Sequence, residues 1–339
     1  MIKKYKKKIL LVGSNEFFSL EKMYFRAFKK AQCDVSIFKI YNINKNLFFR
    51  FIWKYLRFFF FIYQRHKLSK YINKNLNQFD LIIIYKGLYL TKRFLKYLKK
   101  ISNETKFVNI YPDDPFDKDY YKDISNNNLF TCIKLFDFFF IYSQKIKKKL
   151  ELIVPKKKII YLPFAHDPTI HKKSNFSYKN LYDISFIGTA DKERYNIIRQ
   201  LKDYKIVIGG NGWDRYKQLK NVVYLGAINT QLSATVISKS TVSLNLLRKQ
   251  NYGSHNMRTF EIPAMGGLML TKRSTEQNNF FRENIDCLMY ENFKDLNNKI
   301  KLVLKNKSKF EKIKNNGYKL SKKYTYLLNA RKILKLIYP

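Results

Sequence analysis

The chain has 339 residues, 46% of them hydrophobic, so it is long enough for two domains of ordinary size with real cores. Its 67 Lys and Arg residues stand against 25 Asp and Glu residues, and the formal net charge of +42 indicates an anionic partner such as nucleic acid, anionic lipid or a polyanionic glycan. Three scattered cysteines, with no CxxC pair or Cys/His cluster, indicate neither a zinc site nor a disulfide framework and fit a reducing cytoplasm.

The first half of the chain alternates short apolar runs with helical stretches. A helix to about Lys30 is predicted after the first of these runs. Five runs are typical of strands: Ile9–Val12, Val35–Phe38, Leu81–Ile84, Phe107–Ile110 and Phe138–Ile141. This alternation predicts an α/β domain with a parallel sheet covered on both faces. The apolar run near the basic N-terminus is too short for the core of a signal peptide.

A basic aromatic segment, Leu47–Tyr63, lies between the second and third predicted strands. Arg50, Lys54 and Arg57 interrupt it, so it is not a continuous apolar span of the length that a transmembrane helix needs. The three cations fall four and three residues apart and form one stripe of a helix, whose remaining positions are rich in Phe. Such a helix either lies in the interface of an anionic membrane or packs on the sheet with its cations in water.

Two loops of the first half follow predicted strands. Ligands of open α/β sheets bind beyond the carboxyl ends of the strands, so these loops are candidate ligand contacts. Gly13, Ser14 and Asn15 follow the first strand. Asp113 and Asp114 follow the fourth, where a carboxylate can deprotonate or orient a hydroxyl group. The alternatives for the two aspartates are binding of Mg²⁺ and simple turn formation beside proline.

The pattern restarts after Pro163 with five more predicted strands: Ile184–Ile187, Ile206–Ile208, Val222–Leu225, Val242–Asn245 and Leu268–Leu270. Two successive α/β units predict two Rossmann-like domains that face a cleft. We place the N-terminal domain at residues 1–165 and the C-terminal domain at residues 166–320. His166 lies at this junction, where it either contacts a ligand or forms part of a structural hinge.

Two loops of the second half are candidate phosphate contacts because each follows a strand. Gly188 and Thr189 lead into a helix that carries Arg194, and backbone N–H groups at such a helix start can approach a phosphate. Gly210 and Asn211 lie in a glycine-rich turn that lacks the spacing of a dinucleotide-binding or P-loop motif. A plain strand-to-helix turn is the alternative for the first loop, and Trp213 beside the second is more typical of packing.

The run from His255 to Thr271 is the most informative part of the sequence. It predicts a short helix that Asn256 caps and that Gly266 or Gly267 ends, followed by an apolar strand. Arg258 and Glu261 are three residues apart and so share a helical face. An arginine can clamp a phosphate and a carboxylate can accept from ribose hydroxyls, which together suit a nucleoside diphosphate. A surface ion pair on an ordinary amphipathic helix is the alternative.

This run resembles the donor-site motif of GT-B glycosyltransferases, in the branch of the spore-maturation CgeB-like proteins. Further landmarks of the resemblance are Phe186–Thr189 and Asn245–Leu246. The resemblance implies that Asn245, His255 and Asn256 also line the donor site. It further implies that Gly13, Ser14, Asn15 and His166 lie on the acceptor side. Many retaining members have a glutamate eight residues before the ribose glutamate, but Gly253 stands there in this chain, so the two-glutamate scheme does not carry over.

The resemblance implies a GT-B fold and a hexosyltransferase that moves a sugar from a nucleotide sugar to a glycan or lipid-linked acceptor, in polysaccharide synthesis at the cell surface. It also implies that no metal or other cofactor is needed, and that a last helix in residues 321–339 crosses back to the N-terminal domain. Arg258 and one of the two aspartates, Asp113 or Asp114, would be the catalytic groups. The expected location is the cytoplasm or the inner face of the cell membrane.

A basic nucleic-acid-binding α/β protein without catalytic activity is the alternative function. It would explain the net charge and the interleaved aromatic residues. However, the sequence has no signature of a known nucleic-acid-binding module, and its lysines are spread along the whole chain rather than gathered in one stripe. We therefore expect nucleic acid not to be the main partner.

Overall fold

The computed structural model describes residues 7–40, 56–117, 125–174 and 181–339. The chain divides into two compact units, one formed by Met1–Pro163 together with Leu327–Pro339 and the other by Phe164–Tyr326. The end of the chain is therefore part of the first unit. Each unit contains a parallel six-stranded sheet with helices, so the α/β class predicted from the sequence is confirmed.

The sheet of the first unit has the strand order β2-β1-β3-β4-β5-β6, and every neighbouring pair is parallel. Its strands are β1 (Lys8–Gly13), β2 (Asp34–Lys39), β3 (Leu81–Tyr85), β4 (Lys106–Tyr111), β5 (Phe138–Ile141) and β6 (Ile159–Tyr161). Its described helices are α1 (Leu20–Lys30), α2 (Arg57–Lys74), α3 (Lys92–Ile101), α4 (Ser125–Ile133), α5 (Gln144–Leu150) and the last helix of the chain. All five predicted strands of this half are present.

The sheet of the second unit has the order β12-β11-β10-β7-β8-β9 and is also parallel throughout. Its strands are β7 (Tyr182–Ile187), β8 (Ile206–Gly209), β9 (Val222–Tyr224), β10 (Ser240–Asn245), β11 (Met269–Lys272) and β12 (Leu288–Tyr290). Its helices are α6 (Lys192–Gln200), α7 (Thr230–Ser238), α8 (Arg258–Ala264), α9 (Thr275–Phe280), α10 (Phe293–Lys305) and α11 (Lys307–Ser321), and α12 (Tyr326–Ile337) follows.

Local sequence signals explain where the helices begin. The side chains of Ser19, Thr91, Asp191 and Asn229 each accept from a backbone N–H in the first turn of the helix that follows. Such caps satisfy donors that have no partner within the helix. The central strands are apolar on both faces, as in β3, where all five residues are buried. Helices on both faces of a parallel sheet require this continuous burial.

None of the helices in the described parts of the chain is long and apolar enough to cross a membrane. Most of the basic aromatic segment Leu47–Tyr63 lies outside the described residues, and α2 includes its last seven positions.

Within residues 7–40, 56–117, 125–174 and 181–339, there is no group of three or more His, Cys, Asp or Glu side chains that could hold a metal ion. All three cysteines are buried and unpaired with one another.

Candidate functional site

The second unit has its topological switch point between β7 and β10, because the chain leaves β7 in one direction along the sheet and later returns to the other side of it. Ligands of open α/β sheets bind at such a point, beyond the carboxyl ends of the strands. Arg258 reaches this position, since its Nε donates to the carbonyl of Ile187 at the end of β7 over 3.0 Å. Its side chain is 31% exposed, so a bound ligand can contact the guanidinium.

A polar network holds the first turn of α8 against the end of β10. The backbone N–H of Thr259 donates to Asn256 Oδ1 at 3.1 Å, so the predicted capping role of Asn256 is confirmed. Asn256 Nδ2 donates to Asn245 Oδ1 at 2.9 Å, and Asn245 Nδ2 donates to Thr259 Oγ1 at 3.2 Å. Gly266 follows the helix with φ of +79°, a left-handed conformation that suits glycine at a helix end. The network fixes where Arg258 leaves the backbone.

Glu261 lies between a guanidinium and an imidazole. Arg258 Nη1 donates to Glu261 Oε2 at 2.5 Å, and His171 Nε2 lies 3.5 Å from Glu261 Oε1. The backbone N–H of Asp167 donates to His171 Nδ1 at 2.9 Å, so the neutral imidazole carries its proton on Nε2, facing Glu261. The Glu261 side chain is thus held beside Arg258 and is only 4% exposed. His171 was not singled out from the sequence, where nothing near it suggests a link to Glu261.

His166 is buried close to this group. Its ring centroid is 6.5 Å from that of His171. Burial, with a smaller effect of the neighbouring His171, lowers the pKa of His166 to about 4. Within the described parts of the chain, its Nδ1 has no hydrogen-bond partner. The side chain is therefore neutral at ordinary pH, and it is buried beside His171.

The loops after β7 and β8 lie against each other beside the switch point. Gly188 N–H donates to Gly209 O at 2.8 Å, and Ala190 N–H donates to Asn211 O at 2.9 Å. Gly210 has φ of +145°, and a Cβ atom there would lie 2.1 Å from Gly188 O. Only glycine allows this approach. The structure thus brings the two predicted phosphate loops together, with the backbones of Gly188 and Thr189 at the end of β7.

Two of the predicted donor contacts have structural roles instead. The guanidinium of Arg194 donates to Leu246 O at 2.7 Å and to Thr189 O at 2.9 Å, and burial lowers its pKa to about 10. His255 is fully buried, and its Nε2 accepts from the backbone N–H of Phe164 at 3.1 Å. Neither side chain presents an exposed face of any size to a ligand. They support the loops around the switch point, and Trp213 packs edge-on against Phe186 as the sequence suggested.

The first unit has its own switch point, between β1 and β3. Ser14 N–H, just after β1, donates to Glu21 Oε1 at 3.1 Å. Lys86 and Gly87, just after β3, have φ of +57° and +81°. This sharp turn carries Lys86 Nζ to within 2.6 Å of Asp113 Oδ2, beyond the end of β4. Lys86 and Glu21 are therefore two residues of this site that the sequence analysis missed.

The two adjacent aspartates have different surroundings. Asp113 is largely buried and forms the ion pair with Lys86. Asp114 Oδ1 accepts from the backbone N–H of Phe116 at 2.9 Å, which is the turn geometry given above as the alternative to a functional role. Burial raises the pKa of Asp114. Asn15 is more peripheral, since its Oδ1 accepts from the exposed side chain of Lys22 at 3.2 Å.

Part of the chain is similar to a known protein family. Residues 194–335, which are less than half of the chain, match a family model described as glycosyl transferase-like. This matched region contains both Arg258 and Glu261. Comparison of the sequence with curated proteins gives no match.

Solved structures share the fold over nearly the whole chain. Sucrose-phosphate synthase from Thermosynechococcus elongatus has a TM-score of 0.71 at 10% identity, covering 97% of this chain and 98% of its own. Anabaena Alr3699/HepE in complex with UDP and glucose has a TM-score of 0.68 at 11% identity, with the same coverage. A glycosyltransferase from Rickettsia africae has a TM-score of 0.65 at 14% identity, covering 98% of each chain. The predicted GT-B fold is confirmed.

Proposed function

We propose that this chain is a GT-B glycosyltransferase of the CgeB-like branch that transfers a hexose from a nucleoside-diphosphate sugar to a glycan or lipid-linked acceptor in cell-surface polysaccharide synthesis. The observation that carries the proposal is the partly exposed guanidinium of Arg258 at the switch point of the second unit. The glycosyl transferase-like match includes this residue. Structures of HepE hold UDP-glucose, or UDP with glucose, so UDP is the first nucleotide to test.

On the donor side, charge develops on the diphosphate as it leaves the sugar. A preorganised cation at this point stabilises the transition state more than the ground state, because the charge is larger there. Arg258 supplies that cation at the end of β7. Glu261 accepts hydrogen bonds from the ribose hydroxyls, held for this role by Arg258 and His171.

On the acceptor side, Asp113 takes the proton of the acceptor hydroxyl as the glycosidic bond forms. The ammonium of Lys86 lies 2.6 Å from Asp113 Oδ2 and holds this carboxylate in place beyond the end of β4. Asp114 is occupied by its own turn, so we assign the base to Asp113 and a structural role to Asp114. Gly13 and Ser14 form the neighbouring edge of the acceptor site.

We propose that the reaction needs no metal ion, because Arg258 offsets the charge of the leaving diphosphate. Turnover in the presence of a chelator such as EDTA tests this directly. Unchanged turnover is expected, and loss of turnover that added Mg²⁺ restores would contradict it.

The donor site is tested by a thermal-shift series with UDP, GDP and other nucleoside diphosphates. A nucleotide at about 100 times its Kd stabilises the fold by about 2.7 kcal/mol, so a clear rise in Tm is expected for the right one. Arg258→Ala should lose most of this rise and lower turnover sharply. Arg199→Ala, which removes an exposed arginine of the neighbouring α6, is the matched control. Full activity of Arg258→Ala would refute the assignment.

We also propose that the protein works at the inner face of the cell membrane, where lipid-linked acceptors are available. The segment Leu47–Tyr63 is the proposed contact. In its described part, Phe58 and Phe59 at the start of α2 are 63% and 64% exposed. Flotation with anionic vesicles at physiological salt tests the association. Loss of binding is expected when both phenylalanines are replaced by Gln, and protein that stays at the bottom of the gradient would contradict it.

A further inference from the structure

The loop that joins α5 to β6 in the first unit carries two exposed aliphatic side chains at its tip. Leu152 is 85% exposed and Ile153 is 44% exposed. Leu150 and Val154 on either side are buried. The backbone N–H groups of Ile153 and Val154 both donate to Leu150 O at 3.0 Å. The tip is thus a hydrogen-bonded turn anchored at both ends, and its apolar side chains are held out into solvent.

The surroundings of this tip are strongly basic. Lys148, Lys149, Lys156 and Lys157 are exposed and lie within four residues of the aliphatic pair. The one acidic residue between Gln144 and Lys158 is Glu151, and it forms an ion pair with Lys147. An aliphatic tip surrounded by cations matches the interface of an anionic bilayer, where acyl chains lie below negatively charged headgroups.

We propose that residues 148–157 dock onto an anionic phospholipid bilayer, with Leu152 and Ile153 inserted between the lipids and the lysines at the headgroups. This inference extends the membrane association proposed above and adds a contact point that is independent of Leu47–Tyr63. Nucleic acid matches the loop less well, because unpaired bases stack on aromatic rings and guanidinium planes rather than on aliphatic side chains. An aliphatic tip instead needs an apolar medium to enter.

The test uses the full chain and two kinds of vesicle, phosphatidylcholine alone and an equal mixture of phosphatidylcholine and phosphatidylglycerol. Replacement of both Leu152 and Ile153 by Gln should weaken binding to the mixed vesicles at least about tenfold, which corresponds to about 1.4 kcal/mol. Replacement of Leu232 and Leu302, two exposed leucines of the second unit, by Gln is the matched control and should leave binding unchanged. All four side chains are exposed, so folding is not expected to change.

A charge series completes the test. The first triple variant replaces Lys148, Lys156 and Lys157 by Gln. The control replaces Lys305, Lys307 and Lys309 by Gln, which removes three exposed lysines of the second unit. The first variant should lose more binding to the mixed vesicles than the control. Equal losses for the two sets, equal binding of the Leu152/Ile153 variant and the parent chain, or no binding of the parent chain would each overturn the proposal. The thermal shift with UDP is measured on the same variants. It should be unaffected, because it reports the donor site and thus separates failure of this proposal from failure of the proposed function.

Discussion

At the scale of single residues, the proposed donor site contains a buried carboxylate with a partner on each side. Burial of an unpaired charge is costly, and loss of one partner leaves the other charge uncompensated. Glu261 avoids this cost through Arg258 and His171. In the proposed function, the same two contacts orient Glu261 before a ribose binds, which reduces the ordering cost of binding. His171 would then position Glu261 for the donor, although it lies far from Glu261 in sequence.

His166, beside this group, should make stability depend on pH. Its pKa is about 4 in the folded protein against an ordinary 6.5, so below 6.5 the unfolded chain binds a proton that the native state refuses. Stability from this residue is present above 6.5 and lost as pH falls towards 4. Urea unfolding should show a loss of about 2 kcal/mol between about pH 7 and about pH 5 from this residue. His166→Gln should remove that part of the slope, whereas replacing the exposed His66 should not. If the free energy of unfolding depends on pH equally in His166→Gln and in the parent chain, this account is wrong.

At the scale of elements, the site depends on how closely two loops approach. The loops after β7 and β8 meet backbone to backbone at Gly188 and Gly210, and no side chain fits between them. The backbone N–H of Gly188 donates to Gly209 O at 2.8 Å and that of Gly210 donates to Gly226 O at 2.6 Å, so these groups hold the loops in place. The two glycines therefore serve the packing of this edge of the sheet.

Gly210→Ala tests this close approach. Its Cβ would lie 2.1 Å from Gly188 O and its φ is +145°, so the loops must separate and the free energy of unfolding should fall by about 2–4 kcal/mol. Gly253→Ala is the control, because Gly253 also has a positive φ, +80°, but nothing lies within 4 Å of its Cβ position. That change should cost only about 1 kcal/mol. Equal losses in urea unfolding would show that the contact between the loops is unimportant.

The strands could be predicted because the residues that specify a strand are neighbours in the sequence. Side-chain contacts between residues that are distant in the sequence could not be predicted. All ten predicted strands are present because apolar runs bounded by turn residues need no long-range information. Arg194 follows a strand and a glycine loop, which predicts a donor contact. Its guanidinium instead donates to the carbonyl of Leu246, 52 residues away. His255 is likewise held by a backbone N–H 91 residues away. Lys86 escaped notice because its role follows from a left-handed backbone turn at a residue that is not glycine.

At the scale of the whole molecule, the net charge of +42 does not by itself identify a partner. Lysine is exposed over both units, and non-specific contacts with phosphate weaken steeply as salt rises. If the chain were a nucleic-acid-binding protein, tight binding to short DNA or RNA should survive about 0.2 M salt. We expect the opposite, with nucleic acid released and the stabilisation by UDP retained. Thermal-shift and filter-binding series over the same salt range measure both, and retained nucleic-acid binding without any nucleotide effect would favour the alternative function.

The last helix belongs to the first unit, although it follows the second unit in the sequence. Residues 327–339 belong to the unit that begins at the N-terminus, and Tyr338 OH donates to Asp80 O at 2.8 Å. Ile333 in this helix is fully buried. Ile333→Ala should therefore cost about 2–5 kcal/mol, and the loss should fall on the first unit although the residue is nearer in sequence to the second. Hydrogen exchange should show faster exchange in β1 and β3, with little change in β7 and β10. The same replacement at the exposed Leu336 should have little effect, and a loss of protection confined to the second unit would contradict the assignment of this helix.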